Sequence, residues 1–431
     1  MSLDEIAAHV VGVVAVIMLV SSALNAIARR FGQPAVIGQL LTGILLGPVF
    51  LGRLPFDLAD QLFPKTILSY LAVLAQVAVV IFMFVVGYEM DFRLLRGQGR
   101  AVPAVVLGCL LVPMALGAGA VLAVPSMFRD VGEPNVDSRS FVLFVAVSVS
   151  VTALPVLAAI VRERGIAGTA PGQLAVTAAG VMDLLVWVVL AAAVADATRA
   201  ADRPLWTTVV LAALLIAGGF LVVRPVLRWW VERTGSRFLD QLPIAVVLMM
   251  GCAWATASLG LHTVFGGFLA GLVMPRPGGS PDADVLRSMD GTARVLLPLF
   301  FVVTGLSLDI GALGAGDLAL FALILLIAVA GKAGPAYLAS RLARFPPRQA
   351  ATVAALLNTR GLTELIALNV GLTAGIIHQR LFVILVLMAL ITTAMSGPLL
   401  SWIGDGPRRA EPGDPAHLGR LEDLDHADGS I

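Results

Sequence analysis

The chain has 431 residues, of which 58% are hydrophobic and 13% charged. A soluble protein of this length carries about a quarter charged residues, so the composition excludes an ordinary soluble domain. A net charge of +1 points to no nucleic acid, and the two cysteines, Cys109 and Cys252, lie in separate apolar runs without redox or metal-ligand spacing.

Apolar runs of about 20 residues recur along the chain and predict a polytopic, all-α membrane protein. The runs are continuous rather than alternating, which argues against a β-barrel. Thirteen spans are expected, at approximately 6–28, 34–52, 69–90, 101–125, 140–161, 171–195, 206–227, 241–259, 262–275, 292–308, 318–340, 350–372 and 381–402. Residues 1–402 thus form one transmembrane domain, and 403–431 a polar tail too short for a nucleotide-binding domain. The N-terminal segment MSLDEIAAHV lacks a basic region, and the first apolar run lacks a small-residue cleavage site; that run is read as a retained helix.

Loop charge predicts the orientation. Loops after odd-numbered spans hold Arg29, Arg30, Arg93, Arg96, Arg100, Arg162, Arg164, Arg228, Arg233, Arg237, Arg276, Arg287, Arg341, Arg344 and Arg348. Loops after even-numbered spans hold only Arg53, Lys65, Arg129, Arg139, Arg199, Arg203 and Arg380. This bias places the N-terminus outside and the tail, with Arg408 and Arg409, in the cytoplasm.

An internal repeat runs at an offset of seven spans. VIGQLLTGIL (36–45) resembles VFGGFLAGLV (264–273), with glycines matched at 38/266 and 43/271. FVVGYEMD (84–91) resembles FVVTGLSLD (301–309) with one residue inserted, so that Asp91 and Asp309 correspond. Because seven is odd, the second copy is inverted. Two six-helix repeats, about 6–195 and 241–402, joined by a linker helix at 206–227, fit the layout of secondary transporters.

Asp183 is the only ionisable residue between Pro171 and Ala195. A carboxylate at bilayer depth costs roughly 2.5–3.5 kcal/mol on insertion scales, which marks it as a functional candidate over a structural one. Only two of the 29 basic residues are lysines, and one of them, Lys332, lies mid-span in LLIAVAGKAGPAYLA. Unlike arginine, lysine can lose its proton when desolvated; the alternative is a lysine that snorkels to an interface. The fifth span carries VSVSVTALPVLAAI (147–160), with Thr152 and Pro155 near its middle, and the twelfth carries LLNTRGLTELIALN (356–369), with Asn358, Arg360, Gly361 and Glu364. Both are expected to be discontinuous helices that cross at mid-membrane, their half-helix ends presenting partial charges. Arg360 and Glu364 stand four apart and share a helix face. Gly43 and Gly47 have the spacing of helix packing, and Gln39 and Gln76 are expected to hydrogen-bond across helices. His262 is either a pH sensor or an interfacial residue. Glu89 and Asp91 are read as caps of the third span.

The runs GQPAVIGQLLTGILLGP (32–48), SVSVTALPVLAAIVRERG (148–165), HTVFGGFLAGLVMPR (262–276), LLPLFFVVTGLSLDI (296–310) and NTRGLTELIALNVG (358–371), with the helix around Asp183, resemble the monovalent cation:proton antiporter family 2. The resemblance covers residues 30–400. It implies a sodium/proton antiporter-like fold and a homodimer in which a core domain moves against a dimerisation domain. It implies no cofactor; the transported species are Na⁺ or K⁺ and H⁺. It implies that Asp183 binds cation and proton alternately, with Thr152 and Asn358 near the ion, and that Lys332 matches a basic residue of the family. Relatives usually carry Asp, Asn or Gln just before the essential aspartate, where this chain has Met182, and many carry Glu at the position of Gln39. Lys332 is therefore expected either to pair with Asp183 or to stay neutral.

The expected activity is monovalent cation/proton exchange by alternating access in a bacterial inner membrane. A cation channel or leak pathway and an exporter of an organic cation are the alternatives, the latter suggested by Met182. No HExxH or GxSxG motif suggests an enzyme.

Overall fold

The computed structural model describes residues 2–30, 35–47, 50–51, 61–90, 101–129, 131–132, 137–197, 205–234, 238–259, 261–276, 279–306, 308 and 313–404. Asp91, Asp309, Arg408, Arg409 and the tail beyond Gly404 lie outside the described residues, as do Arg53, Arg93, Arg96, Arg100, Arg199, Arg203 and Arg237.

The described residues are helical almost throughout. In chain order the main helices are α1 (Leu3–Arg30), α2 (Ala35–Leu46), α3 (Lys65–Glu89), α4 (Ala101–Ala123), α5 (Ser138–Ser148), α6 (Leu154–Glu163), α7 (Ala170–Ala197), α8 (Leu205–Gly218), α9 (Phe238–Ser258), α10 (Thr263–Val273), α11 (Ala283–Leu306), α12 (Ala315–Leu342), α13 (Pro347–Leu357), α14 (Leu362–Thr373) and α15 (Gln379–Ile403). Nine described helices are long and apolar enough to cross a membrane. The expected linker span runs further than its apolar stretch, because α8 continues through a π-type turn at Gly219–Val223 into Arg224–Thr234.

Local chemistry sets several ends. Ser2 and Glu5 cap α1 reciprocally: the Ser2 amide donates to Glu5 at 2.8 Å and the Glu5 amide to the Ser2 hydroxyl at 3.2 Å. His378 opens α15, its ring nitrogen accepting from the Arg380 amide at 3.4 Å. Gly404 closes that helix at φ 90°, a conformation that costs glycine little. The gap between α5 and α6, residues 149–153, closes just before Pro155, which sits in the first turn of α6, where its missing N–H costs no helical hydrogen bond.

Two groups of helices emerge. α2 packs on α1 and α11, α10 on α3 and α9, and α3 on α11. In the other group α12 packs on α4, α13 and α15, and α7 packs on α4, α5, α6 and α13. Within the first group two glycine pairs permit very close approach. A Cβ on Gly43 (α2) would lie 2.7 Å from the Gly305 Cα (α11), and one on Gly271 (α10) would lie 2.9 Å from the Gly87 carbonyl carbon (α3). Gly38 meets α1 at Leu24 and Asn25, and Gly266 meets α9 at Cys252 and Ala253.

Contacts between helix ends join loops that loop charge assigns to one side. Arg380 donates to both Asp317 carboxylate oxygens at 2.7 Å. The His378 amide donates to the Val131 carbonyl at 2.9 Å. On the opposite side Arg164 donates to Gly397 at 3.0 Å and to Ser401 at 2.9 Å, and Arg348 donates to Ile403 at 2.8 Å. Tyr88, near the end of α3, donates to the Pro275 carbonyl at 3.2 Å and accepts from the Asp282 amide at 2.8 Å.

Buried apolar side chains form two clusters, and five stretches of chain pass from one to the other at a polar residue. Val151 and Ala153 belong to different clusters, with Thr152 between them; Met182 and Val186 flank Asp183; Ala328 and Ala336 flank Lys332. Leu357 and Leu365 bracket Asn358, Arg360 and Glu364, while Met388 and Leu400 bracket Thr392, Thr393 and Ser396. A polar layer thus crosses the second group of helices between two apolar slabs.

Candidate functional site

The layer is organised by the two helix breaks. α5 ends at Ser148 and α6 begins at Leu154; α13 ends at Leu357 and α14 begins at Leu362. The breaks touch: the Ala153 amide donates to the Thr359 carbonyl at 3.3 Å. A Cβ at Gly361 would come within 2.7 Å of the Val156 side chain, so the approach requires glycine there. Helix α15 supports the second break. The Thr393 hydroxyl donates to the Arg360 carbonyl at 2.6 Å, and the Thr359 hydroxyl to Ser396 at 3.0 Å.

The last turn of α5 leaves carbonyls without helical donors and carries the negative end of the helix dipole. Two buried basic side chains answer it. The Arg360 guanidinium donates to the Ser148 carbonyl at 2.9 Å and also to that of Val149. The Lys332 ammonium, from α12, donates to the Ser150 carbonyl. Arg360 further pairs with Glu364 at 3.1 Å, with both side chains wholly buried. The i,i+4 pairing expected on one helix face is present although the first turn of α14 begins only after Arg360.

Asp183, 1% exposed, comes from α7 into this layer. The Leu154 backbone N–H, at the positive end of α6, faces its carboxylate, and Lys332 lies within electrostatic reach. Among the described residues neither carboxylate oxygen has a hydrogen-bond partner, and the same holds for the Thr152 hydroxyl, both polar atoms of the Asn358 amide, the Thr363 hydroxyl and one Glu364 oxygen. Buried polar groups are bonded in the great majority of cases, so unbonded oxygens gathered at two crossing breaks call for a ligand. Oxygen donors of this kind suit a hard cation.

All the expected site residues lie in the polar layer: Asp183, Lys332, Arg360, Glu364, Thr152 and Asn358. Of the two options for Lys332, pairing with Asp183 is not what the structure has; its side-chain nitrogen is taken by the Ser150 carbonyl. Met182 is buried in the apolar cluster on the far side of the layer. Gln76 bonds across helices as expected, to the Thr263 hydroxyl and at 3.4 Å to His262. His262 serves as the cap of α10. Sequence reasoning missed Thr393 and Ser396, whose three-residue spacing in the last span was the available signal, and Thr363.

The profile of the sodium/hydrogen exchanger transmembrane family matches residues 14–405. The chain belongs to that family. This agrees with the resemblance to monovalent cation:proton antiporters. Among its relatives is Cation/H(+) antiporter 18 of Arabidopsis thaliana, 33% identical over 406 residues, which cover 92% of this chain and 49% of the relative. The chain therefore spans about half the length of the plant relatives it matches. Na(+)/H(+) antiporter NhaS4 of Synechocystis is 33% identical over 91% of the chain and 96% of its own length. In fold the chain is similar to the sodium proton antiporter MjNhaP1 of Methanocaldococcus jannaschii, with a TM-score of 0.64 at 15% identity over 92% of this chain and 97% of that one.

Proposed function

We propose that this exchanger is a monovalent cation/proton antiporter that works by alternating access, with Na⁺ or K⁺ and H⁺ competing for Asp183. The observation that carries the reading is the buried Asp183 carboxylate, unbonded and set beside two crossing helix breaks. Deprotonated, it attracts a cation, and Thr152, Asn358 and carbonyls freed by the breaks supply further oxygens. Protonated, it releases the cation. An empty, charged Asp183 is costly to carry through an apolar barrier, which favours obligatory exchange over leak. Lys332 and Arg360 hold the carbonyl end of α5, so that one proton replaces one cation and exchange is electroneutral. The relatives named as cation/H⁺ and Na⁺/H⁺ antiporters support the activity.

The architecture belonging to this reading is thirteen spans in two inverted repeats. α5 with α6, and α13 with α14, each count as one broken span. The glycine approaches support it: with Gly38 matched to Gly266, Gly43 to Gly271 and Gly87 to Gly305, the approach of Gly38 to α1 corresponds to that of Gly266 to α9, and Gly43–Gly305 to Gly271–Gly87. The end contacts support it too, since each joins loops or span ends that fall on one side by parity. The group of α1, α2, α3, α9, α10 and α11 is the static, homodimer-forming part, and the group holding the polar layer moves. The N-terminus faces outside and the tail the cytoplasm.

The test is cation-driven pH change in proteoliposomes. Asp183→Asn should abolish it while the protein still inserts and folds; unchanged exchange in that variant ends the proposal. Running Na⁺, K⁺ and an organic cation side by side separates the inorganic exchanger from an organic-cation exporter, and a current without a counter-ion gradient would indicate a channel.

A further inference from the structure

Trp187 stands one helical turn beyond Asp183 on α7 and is 3% exposed. Residues four apart on a helix share a face, and helical side chains lean toward the N-terminus, so that of Trp187 is directed over the turn that carries Asp183. Among the described residues its indole N–H is buried without an acceptor, and neither buried Asp183 oxygen completes a hydrogen bond, although the Leu154 N–H faces the carboxylate. A donor and an acceptor left unmatched on adjacent turns each carry a desolvation penalty that their pairing would remove. What keeps the indole in place comes from the other group of helices. The ring lies edge-on to Phe265 at 5.8 Å and tilted against Phe268 at 6.5 Å, both on α10. The seat of the ring therefore depends on how the two groups stand relative to each other.

We propose that Trp187 is a positioning residue for the exchange site: when a proton has replaced the cation on Asp183 and the two groups shift, the indole N–H turns to the free oxygen of the Asp183 carboxyl and holds it until the next cation arrives. The inference rests on the reading of Asp183 as the ion carrier. Trp187 then competes with the incoming cation, and the aromatic seat on α10 withdraws that competitor in the conformation described above.

The experiment uses Trp187→Phe, which keeps a ring for Phe265 and Phe268 and deletes the N–H. Exchange by the variant in proteoliposomes should show a KM for Na⁺ or K⁺ about tenfold lower, equivalent to about 1.4 kcal/mol, with maximal rate changed less than KM. In the unsubstituted protein, the Trp187 indole N–H resonance, assigned by its loss in Trp187→Phe, should shift on titration with the cation, and should not shift in Asp183→Asn. An unchanged KM together with an indole signal indifferent to cation overturns the proposal and leaves the antiporter reading standing. Exchange that survives in Asp183→Asn overturns the antiporter reading itself. A KM that rises in Trp187→Phe also counts against the proposal, because it marks a loss of packing and not of a competitor.

Discussion

The Lys332 ammonium donates to the backbone carbonyl of Ser150, and not to the carboxylate of Asp183. A lysine in the same layer as a lone aspartate invites the opposite arrangement. The break after α5 explains the outcome: carbonyls stripped of helical donors in an apolar interior need partners, and a cation meets both that need and the negative end of the dipole. Asp183 is left without a side-chain partner among the described residues.

Lys332→Met should leave the Ser150 carbonyl buried and unbonded, and lower stability by about 1–3 kcal/mol. Lys332→Gln, which retains an N–H donor, should lose less. Thermal unfolding of the purified protein in detergent ranks the two. Where Lys332→Gln folds, a membrane potential imposed on proteoliposomes should drive exchange no more in the variant than in the unsubstituted protein.

Arg360→Ala should be more damaging, at about 3–5 kcal/mol, because it strands the wholly buried Glu364 as well as two backbone carbonyls. Glu364→Gln should be milder, since the amide oxygen still accepts from the guanidinium. Equal losses for the two variants in chemical or thermal unfolding would contradict the assignment of Arg360 as the cap of α5.

Thr152→Val and Asn358→Leu should separate stability from transport. The polar atoms of both residues are buried without partners, so their removal breaks no bond within the fold. Unfolding midpoints should stay level or rise, while KM for the cation increases several-fold. A fall in stability with KM unchanged would make both residues structural.

Gly43→Ala and Gly271→Ala should each destabilise by about 1–3 kcal/mol, because the added Cβ meets backbone atoms that cannot turn aside. Gly12→Ala, inside α1 with open space around its Cβ, is the control and should be level or stabilising by up to about 1 kcal/mol. Unfolding measured on the three variants together checks the close approaches on which the repeat reading depends.

Much of this was legible before any coordinates. A buried carboxylate is conspicuous in an apolar run because nothing near it in sequence shares its chemistry, and so Asp183 stood out unaided. Pro155 and the polar stretch from Asn358 to Glu364 pointed to broken helices because each joins a helix-disfavouring residue to polar groups at mid-span, whereas Pro113, Pro298 and Pro335, in apolar surroundings, lie inside continuous helices. Partner choice was not legible. Whether Lys332 bonds a side chain or a main-chain carbonyl depends on the path of a helix about 180 residues away in the chain, and a carbonyl leaves no letter in the sequence. The support that Thr393 and Ser396 give to the second break was hidden for a similar reason: hydroxyls in apolar helices usually bond back to their own turn.

By itself, the sequence determined that the chain is helical and membrane-spanning, that its charge sits mainly in loops, and that one aspartate lies in the apolar interior, since these follow from composition and local periodicity. Only the tertiary structure decided that the two breaks touch, that two basic side chains close the end of one half-helix, and that Asp183 and Trp187 remain unbonded one turn apart. Those are relations between distant segments, set by how the helices pack, and packing is where a local pattern ceases to carry information.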